Sequence, residues 1–252
     1  MEKLSAFTHS LDLALRLVDT TSGRNISGLG MTVRLDGSPV AFHEKADNVL
    51  IFMGLKTRSF RLELSGRQYE TVDLDVDLDR LDKMLPMLEI HLIPSDNYLG
   101  TSKFFTLKGC LPGIEALSAV RAGENHCVIR EFEPRKRMMK LFNPHHLGLE
   151  RVFYALVDPD RNVFEPMWIL RMVDDQTAKM DHLLEMPFRN YFPIVPQVLG
   201  LCRPDGSYCL RVRDDGDQAR WIVRWKVNGT EMFRLLDFRN NPDPKLEEEV
   251  GK

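Results

Sequence analysis

Apolar and polar residues alternate with a period of two along much of the chain. The first such run places a leucine at every second position, at Leu11, Leu13, Leu15 and Leu17. A period of two puts successive side chains on opposite faces of a strand, so this run predicts a strand with one buried face. Turn-forming residues at 19–23 follow it, and the alternation resumes at 31–35 before the turn Asp36-Gly37. Two short strands at this spacing predict the opening of a β-sandwich.

Further short apolar runs continue the first half of the chain, at residues 48–55, 60–64, 69–78 and 88–92. The segment contains no helical periodicity. Short strands without helices predict an antiparallel, immunoglobulin-like β-sandwich over residues 1–95. Turn formers then cluster at residues 96–103, which we interpret as a linker.

The second half, residues 104–240, is also predicted to be β-rich, and we expect it to form a barrel or a second sandwich. Its predicted strands lie at residues 104–107, 127–132, 138–142, 151–157 and 163–172. One short helix is predicted here. Its apolar face would hold Met180, Leu183 and Leu184, with Asp174 or Asp175 as the N-cap and Pro187 at the end.

A hairpin turn is predicted at Asn228-Gly229, because both residues tolerate the positive φ that a type I′ turn requires. Folding about this turn places oppositely charged residues on one face and apolar residues on the other. The predicted pairs are Lys226 with Glu231, Arg220 with Asp237, Trp225 with Met232 and Trp221 with Leu236. Arg234 is the misfit, since it falls on the apolar face opposite Val223. The polar tail at 241–252 is expected to be solvated.

The N-terminal third carries a family resemblance. Residues 17–23 read Leu-Val-Asp-Thr-Thr-Ser-Gly, and Ile26-Ser-Gly28, Phe60-Arg-Leu-Glu-Leu64 and Tyr69 follow at spaced intervals. This region resembles the carboxypeptidase-regulatory-like, transthyretin-like branch of immunoglobulin-type sandwiches. The chain has Asn25-Ile26 where that family usually has proline, and Lys56-Thr57-Arg58 where it has a glycine-bearing turn. The resemblance implies a rigid spacer or docking module without catalytic residues.

Composition narrows the function classes. The chain has 34 basic and 37 acidic residues and a net charge of −3, so we expect no nucleic-acid partner. No run reaches the roughly 18 apolar residues of a membrane helix, and no membrane span is predicted. Glu2 and Asp12 make the N-terminus a poor signal peptide, which predicts a cytoplasmic protein, with release as part of a particle as an alternative.

The cysteines Cys110, Cys127, Cys202 and Cys209 form no CxxC motif. Cys202 and Cys209 flank the turn at residues 203–206. They would be directly opposite across a two-residue Asp-Gly loop and diagonal neighbours across a three-residue Pro-Asp-Gly loop. We expect free thiols, with a disulfide between these two as the alternative.

Motifs for catalysis or for metal and cofactor binding are weak. Asp73, Asp75, Asp77 and Asp79 alternate with apolar residues and lack the glycine and glutamate of a calcium loop, so they predict the solvated face of a strand. His126-Cys127 and His145-His146 are adjacent pairs that chelate one ion poorly. The chain has no GxSxG, HExxH or phosphate-binding glycine motif. No catalytic residue, metal or cofactor is predicted.

A basic group around Pro134 is the candidate for partner contact. It consists of Arg130, Arg135, Lys136, Arg137 and Lys140. Such a group forms either a solvated turn or a docking patch for an acidic surface. Trp168, Trp221 and Trp225 would stack on sugars if exposed, but their positions favour the core.

The sequence therefore predicts a non-enzymatic structural or adaptor protein. It would contact protein partners in a homo- or hetero-oligomeric assembly, and a phage-tail-like or surface complex is one setting consistent with the resemblance. A carbohydrate-binding module is the alternative. A hydrolase of unknown type is the third hypothesis.

Overall fold

The structure is a computed structural model that describes residues 11–21, 24–98, 103–125, 127–144, 153–187, 191–214, 219–241 and 244–246. The chain divides into two compact units, Met1–Gly100 and Thr101–Lys252. Within the described residues, regular structure is almost entirely strand, and helical geometry is limited to three short 3₁₀ turns. The predicted all-β class is confirmed.

The first unit contains two four-stranded sheets that enclose one core. Its strands are β1 Leu13–Asp19, β2 Met31–Leu35, β3 Ser38–Pro39, β4 His43–Lys45, β5 Val49–Phe52, β6 Ser59–Gly66, β7 Tyr69–Asp77 and β8 Met87–Leu92. One sheet has the order β4-β5-β1-β8 and the other β3-β2-β6-β7. Among these pairings β1 and β8 are parallel, and the rest are antiparallel.

Strand β1 is buried on both faces, whereas its alternation predicted one buried face. Leu13, Leu15 and Leu17 point into the core, and Ala14 and Val18 on the opposite face are also buried. The charged residue on that second face, Arg16, tolerates this position because its guanidinium pairs with Glu89 at 3.4 Å.

The described residues of the second unit form twelve strands. They are β9 Lys103–Cys110, β10 Ile114–Arg121, β11 Cys127–Glu133, β12 Met138–Phe142, β13 Phe153–Asp158, β14 Val163–Asp174, β15 Thr177–Met180, β16 Pro193–Leu199, β17 Leu201–Cys202, β18 Ser207–Asp214, β19 Arg220–Val227 and β20 Thr230–Asp237.

Six of these strands close into an antiparallel barrel. The pairings run β11-β12-β15-β14-β13-β16, and β16 returns to pair with β11. Side chains fill the barrel interior, as expected for a ring of this size. The interior residues include Ile129, Met139, Leu141, Leu156, Met167, Ile169, Met180 and Ile194.

The C-terminal half of β16 also pairs with β10, which continues the sheet through β19 to β20. A three-stranded sheet of order β17-β18-β9 shares a separate core with this extension. Trp225 and Phe238 are the largest fully buried side chains of that core. The second unit therefore combines a barrel with a sandwich, two architectures that the sequence left as alternatives.

The predicted register of the β19–β20 hairpin is confirmed at each predicted pair. Asn228 has φ 48° and Gly229 has φ 79°, as a type I′ turn requires. The ion pairs differ from the expectation, however. Lys226 lies 3.3 Å from Glu115 on the neighbouring β10, and Glu231 instead pairs diagonally with Arg224. Since β19 lies between β10 and β20, a cation on β19 can pair with an acidic residue on either of these strands.

The predicted helix is wrong, because this part of the chain forms β15 and an extended segment after it. Ala178 and Met180 are both fully buried two positions apart, which is strand spacing. Leu184 packs against the same barrel core, whereas Leu183 is half exposed. The apolar residues match helical spacing in the sequence, but pairing of β15 with β12 and β14 decides the conformation.

The expectation of a solvated tail is wrong at Pro244 and Leu246, which are buried, whereas Lys245 between them is exposed. Leu246 is buried in the sandwich core, and its N–H donates to the Tyr208 hydroxyl at 3.1 Å. Arg234 reaches the carbonyl of Lys245 at 3.4 Å, which gives a partner to the charge that seemed misplaced on the apolar face. Residues 242–243 and 247–252 lie outside the described part of the chain.

None of the helical segments in the described residues is long and apolar enough to cross a membrane.

Candidate functional site

The predicted basic patch lies on the hairpin formed by β11 and β12. Its turn is the 3₁₀ segment Pro134–Lys136, and Arg137 after it takes a left-handed conformation with φ 53°. All of the predicted cations, Arg130, Arg135, Lys136, Arg137 and Lys140, are exposed. The structure therefore brings them together on one hairpin.

Glutamates of the same hairpin neutralise much of this patch. Lys136 Nζ lies 2.7 Å from Glu133 Oε2, and Lys140 Nζ lies 2.7 Å from Glu131 Oε2. The hydrogen bond from Lys136 lowers the pKa of Glu133. Arg135 has neither an ion pair nor a hydrogen bond through its side chain within the described residues.

Acidic residues of a neighbouring turn also face the patch. A groove of about 670 Å³ is lined by Arg130 and Lys140 on one side and by Asp174 and Asp175 on the other. Arg137 donates to the backbone carbonyl of Asp181 at 2.8 Å. The surface around these cations is therefore of mixed charge.

Arg130 belongs to a different surface as well, which we call the aromatic–arginine surface and define by Arg130, Phe142 and Tyr191. Cζ of the guanidinium lies 6.0 Å from the centroid of the Phe142 ring, within cation–π range. Phe142 is 51% exposed and Tyr191 is 70% exposed. These residues, with Asn125 and Val128, line a groove of about 530 Å³.

Tyr191 is held in an unfavourable backbone conformation, with φ 72°. A bulky residue in the left-handed region is uncommon and costs about 1–2 kcal/mol. Its N–H donates to the carbonyl of Ile129 at 2.7 Å, and the N–H of Ile129 donates to the carbonyl of Phe192 at 3.0 Å. Phe192 is buried in the barrel core. Pairing with β11 therefore fixes the backbone at Tyr191 while its ring stays exposed.

Sequence reasoning missed both aromatic residues of this surface. The exposure of Phe142 could have been predicted from the alternation. Phe142 lies two positions after the exposed Lys140 in a predicted strand whose Met139 and Leu141 face inward. Tyr191 had no signal, since its exposure follows from a backbone conformation that only the closed barrel imposes.

A second groove, of about 540 Å³, lies between β14, the segment 181–186 and the β19–β20 hairpin. We call it the polar groove. Its apolar lining includes Phe164 and Phe233, whose rings meet edge to face at 5.7 Å. The charged lining residues are Arg161, Glu165, Glu185, Arg224 and Glu231, and His182 lies among them.

Glu165 fixes one wall of the polar groove. Its two carboxylate oxygens accept the backbone N–H groups of Glu185 and Met186, each at 2.7 Å. Glu165 Oε1 also lies 3.9 Å from His182 Nε2, and His182 Nδ1 donates to the carboxylate of the adjacent Asp181. An imidazole between two carboxylates resembles a general-base arrangement. The lining residues include no serine, threonine or cysteine that could act as its nucleophile.

The first unit contains a buried carboxylate, Asp19, at the end of β1. It is 2% exposed and accepts hydrogen bonds from the N–H and Oγ of Thr21 at 2.7 and 2.6 Å. The hydroxyls of Tyr69 and Tyr98 donate to its other oxygen at 2.9 and 2.5 Å. Burial alone would raise the pKa of Asp19, but these donors outweigh it and lower the pKa. Burial, and then the Asp19 charge, raise the pKa of Tyr69.

The four predicted aspartates of β7 and the turn after it do not converge on one point. Arginines pair with three of them, Arg61 with Asp73, Arg80 with Asp77 and Arg58 with Asp79. β7 is the edge of its sheet, where a charged row discourages pairing with another chain. Across the described residues, no group of three or more potential ligands could hold a metal ion.

The remaining candidates from the sequence are three histidines and four cysteines. His126, His145 and His146 lie outside the described residues. All four cysteines lie in the described residues and are thiols outside any disulfide, and burial raises the pKa of Cys127 and of Cys202 to about 11 each. Cys202 pairs with Tyr208 and Leu201 with Cys209, so the three-residue Pro-Asp-Gly loop forms. The two cysteines are then offset by one residue, which puts their side chains on opposite faces of the hairpin.

The tryptophans form no platform on the described surface. Trp221 and Trp225 are 4% and 1% exposed in the sandwich core, as predicted. Trp168 is half-buried and packs against Phe153 at 4.7 Å between ring centroids. The sugar-stacking interpretation of these three residues therefore loses its basis.

Comparison of the chain with protein-family models, with curated proteins and with solved structures finds no match. The resemblance of the N-terminal third to transthyretin-like domains stays a prediction, and the functional interpretation depends on the chain's own surfaces.

Proposed function

We propose that this chain is a non-enzymatic structural or adaptor protein that binds a protein partner, within a larger assembly, through the aromatic–arginine surface. The partner would present an apolar side chain to Phe142 and Tyr191 and a carboxylate to Arg130. Phe142 and Tyr191 were not foreseen, and of the predicted cations Arg130 is the one retained in this role.

The conformation of Tyr191 is the observation that carries the proposal. A strained residue persists only where the surrounding structure determines it, and such residues cluster at functional sites. Here the strain keeps a ring 70% exposed beside a half-exposed Phe142. Tyrosine, phenylalanine and arginine are enriched at protein interfaces.

Support also comes from the rigidity of the platform. Strands β11 and β16, which flank this surface, both belong to the closed barrel. A preorganised surface loses little conformational entropy on binding, so more of its contact energy appears as affinity.

Site-directed photo-crosslinking in cell extract tests the proposal. The change Phe142→p-benzoylphenylalanine is expected to give a defined protein adduct, and the same amino acid at Met84, which is 91% exposed in the first unit, is not. Adding Tyr191→Ala should abolish the adduct, because truncating an interface hot spot costs about 2 kcal/mol or more. A chain that stays a solitary monomer by native mass in the extract, without an adduct at position 142, contradicts the proposal.

Carbohydrate binding is a second candidate, for one reason. The amide of Asn125 lines the same groove as Phe142 and Tyr191, and sugars bind to aromatic rings beside amides. Saturable binding to a glycan panel, lost in Tyr191→Ala, would favour this function over a protein partner.

A further inference from the structure

The polar groove has the dimensions and lining of a small-molecule site. Its volume of about 540 Å³ falls within the roughly 300–1,000 Å³ of typical ligand pockets. Pro166 and Phe233 are partly exposed and supply an apolar surface, the buried Phe164 ring packs against Phe233, and charged residues surround this surface. Such pockets bind the apolar part of a ligand by burial and orient its polar groups by a few side chains.

Most charges in this groove are already matched. Glu165 is occupied by two backbone N–H groups, and Arg224 pairs with Glu231. Within the described residues, the side chains of Arg161 and Glu185 have no ion pair and no hydrogen bond. One positive and one negative group are therefore left to interact with a ligand.

We propose that the polar groove binds a zwitterionic ligand of amino-acid size with an apolar side chain. The planar guanidinium of Arg161 suits a carboxylate, which it can bind with two parallel hydrogen bonds. Glu185 accepts the ammonium group, and the side chain of the ligand packs against Pro166 and Phe233. A ligand with only one charge would leave Arg161 or Glu185 unmatched, so both charges contribute to specificity.

The site is preorganised on the side of Glu185. The N–H of Glu185 is held by the Glu165 carboxylate, so the backbone that carries the acidic group is fixed before a ligand arrives. Arg161 lies in the turn between β13 and β14, where its N–H donates to Asp158 Oδ1 at 3.2 Å. Both unmatched side chains therefore extend from backbone that is already hydrogen-bonded.

The test is titration of the full chain with L-phenylalanine, followed by ¹H–¹⁵N NMR. Saturable shifts are expected at the lining residues, and binding should weaken about tenfold or more in both Arg161→Gln and Glu185→Gln. Arg135→Gln is the matched control, since Arg135 is also an unpaired exposed arginine and lies on another hairpin. Its affinity should equal that of the wild type.

Two analogues separate the contributions of the charges. Phenylacetate lacks the ammonium and phenethylamine lacks the carboxylate, and each should bind at least about tenfold more weakly than L-phenylalanine. The proposal is overturned if millimolar L-phenylalanine produces no shifts at the lining residues. Equal affinity for an analogue, or for either variant, overturns it as well. Because the aromatic–arginine surface is unchanged in these variants, this result is independent of the crosslinking experiment.

Discussion

Asp19 is a buried carboxylate that is surrounded by hydrogen-bond donors. The side chain is almost inaccessible to water, yet it accepts four hydrogen bonds from Thr21, Tyr69 and Tyr98. A buried carboxylate is tolerated only with such donors, since removal from water disfavours the charged form. Tyr98 precedes the second unit in sequence, so the same cluster attaches the end of the first unit to its opening strand.

Replacement of Asp19 should expose this dependence. Asp19→Asn puts N–H donors where hydroxyl donors point, and we expect a loss of about 1–3 kcal/mol in the free energy of unfolding at neutral pH. Because the folded-state pKa is lowered, the stabilisation is present above the unfolded-state pKa of about 4 and is lost as pH falls through the folded value. The difference between wild type and variant in urea unfolding should therefore shrink below about pH 4.

The exposed Asp75 serves as the control for that series, since Asp75→Asn should leave stability nearly unchanged. An Asp19→Asn protein as stable as the wild type at pH 7 would show that the four donors contribute nothing net.

Tyr191 gives a second prediction at the scale of a single residue, and it concerns backbone strain. Tyr191→Gly should be about 1 kcal/mol more stable to urea than Tyr191→Ala, because glycine adopts φ 72° without the steric penalty of a Cβ. Both variants remove the exposed ring and should lose the crosslinked partner equally. If alanine and glycine were equally stable, the left-handed conformation would carry no strain and the support it lends to the proposed function would disappear.

Among the elements, the sequence correctly predicted the β19–β20 hairpin and β12, each of which pairs with a strand adjacent in the chain. The β19–β20 register follows from the turn Asn228-Gly229, and β12 occupies its predicted residues 138–142. The predicted helix failed because the spacing of Met180, Leu183 and Leu184 fits helix and strand alike. Its conformation depends on pairing with β14, which directly precedes it, and with β12, which lies about 40 positions earlier, and a local pattern does not encode the pairing with β12.

Glu165 is the residue that holds this non-helical segment in place. Glu165→Ala removes the acceptor of two backbone N–H groups, and we expect amide hydrogen exchange at Glu185 and Met186 to accelerate by about tenfold or more. Glu165→Gln keeps one acceptor oxygen and should give an intermediate rate. Unchanged exchange in Glu165→Ala would mean that packing of Leu184 and Met186 alone holds the segment.

The molecule as a whole has separate hydrophobic cores in its two units. Its three tryptophans, Trp168, Trp221 and Trp225, all lie in the second unit, so their fluorescence reports on that unit. Leu62→Ala in the first core should cost about 2–5 kcal/mol and shift the far-ultraviolet circular dichroism transition while leaving the fluorescence transition in place.

Leu210→Ala in the sandwich core is the matched change in the second unit, and it should shift the fluorescence transition. An equal shift of both signals by Leu62→Ala would indicate that the units unfold together. Turn formers at residues 96–103 predicted a linker, and a barrel was one of two architectures predicted for the second half. The closure of that barrel had no local signal, because pairing between β11 and β16 joins residues more than sixty positions apart.

The closed ring of strands has a consequence for how recognition can change over generations. Each of the six strands in the ring pairs with a neighbouring strand on both sides, so an incoming chain finds no edge strand to extend and meets side chains instead. Outward-facing positions such as Phe142 can then be exchanged with little effect on the fold, and binding preference can drift while the scaffold persists.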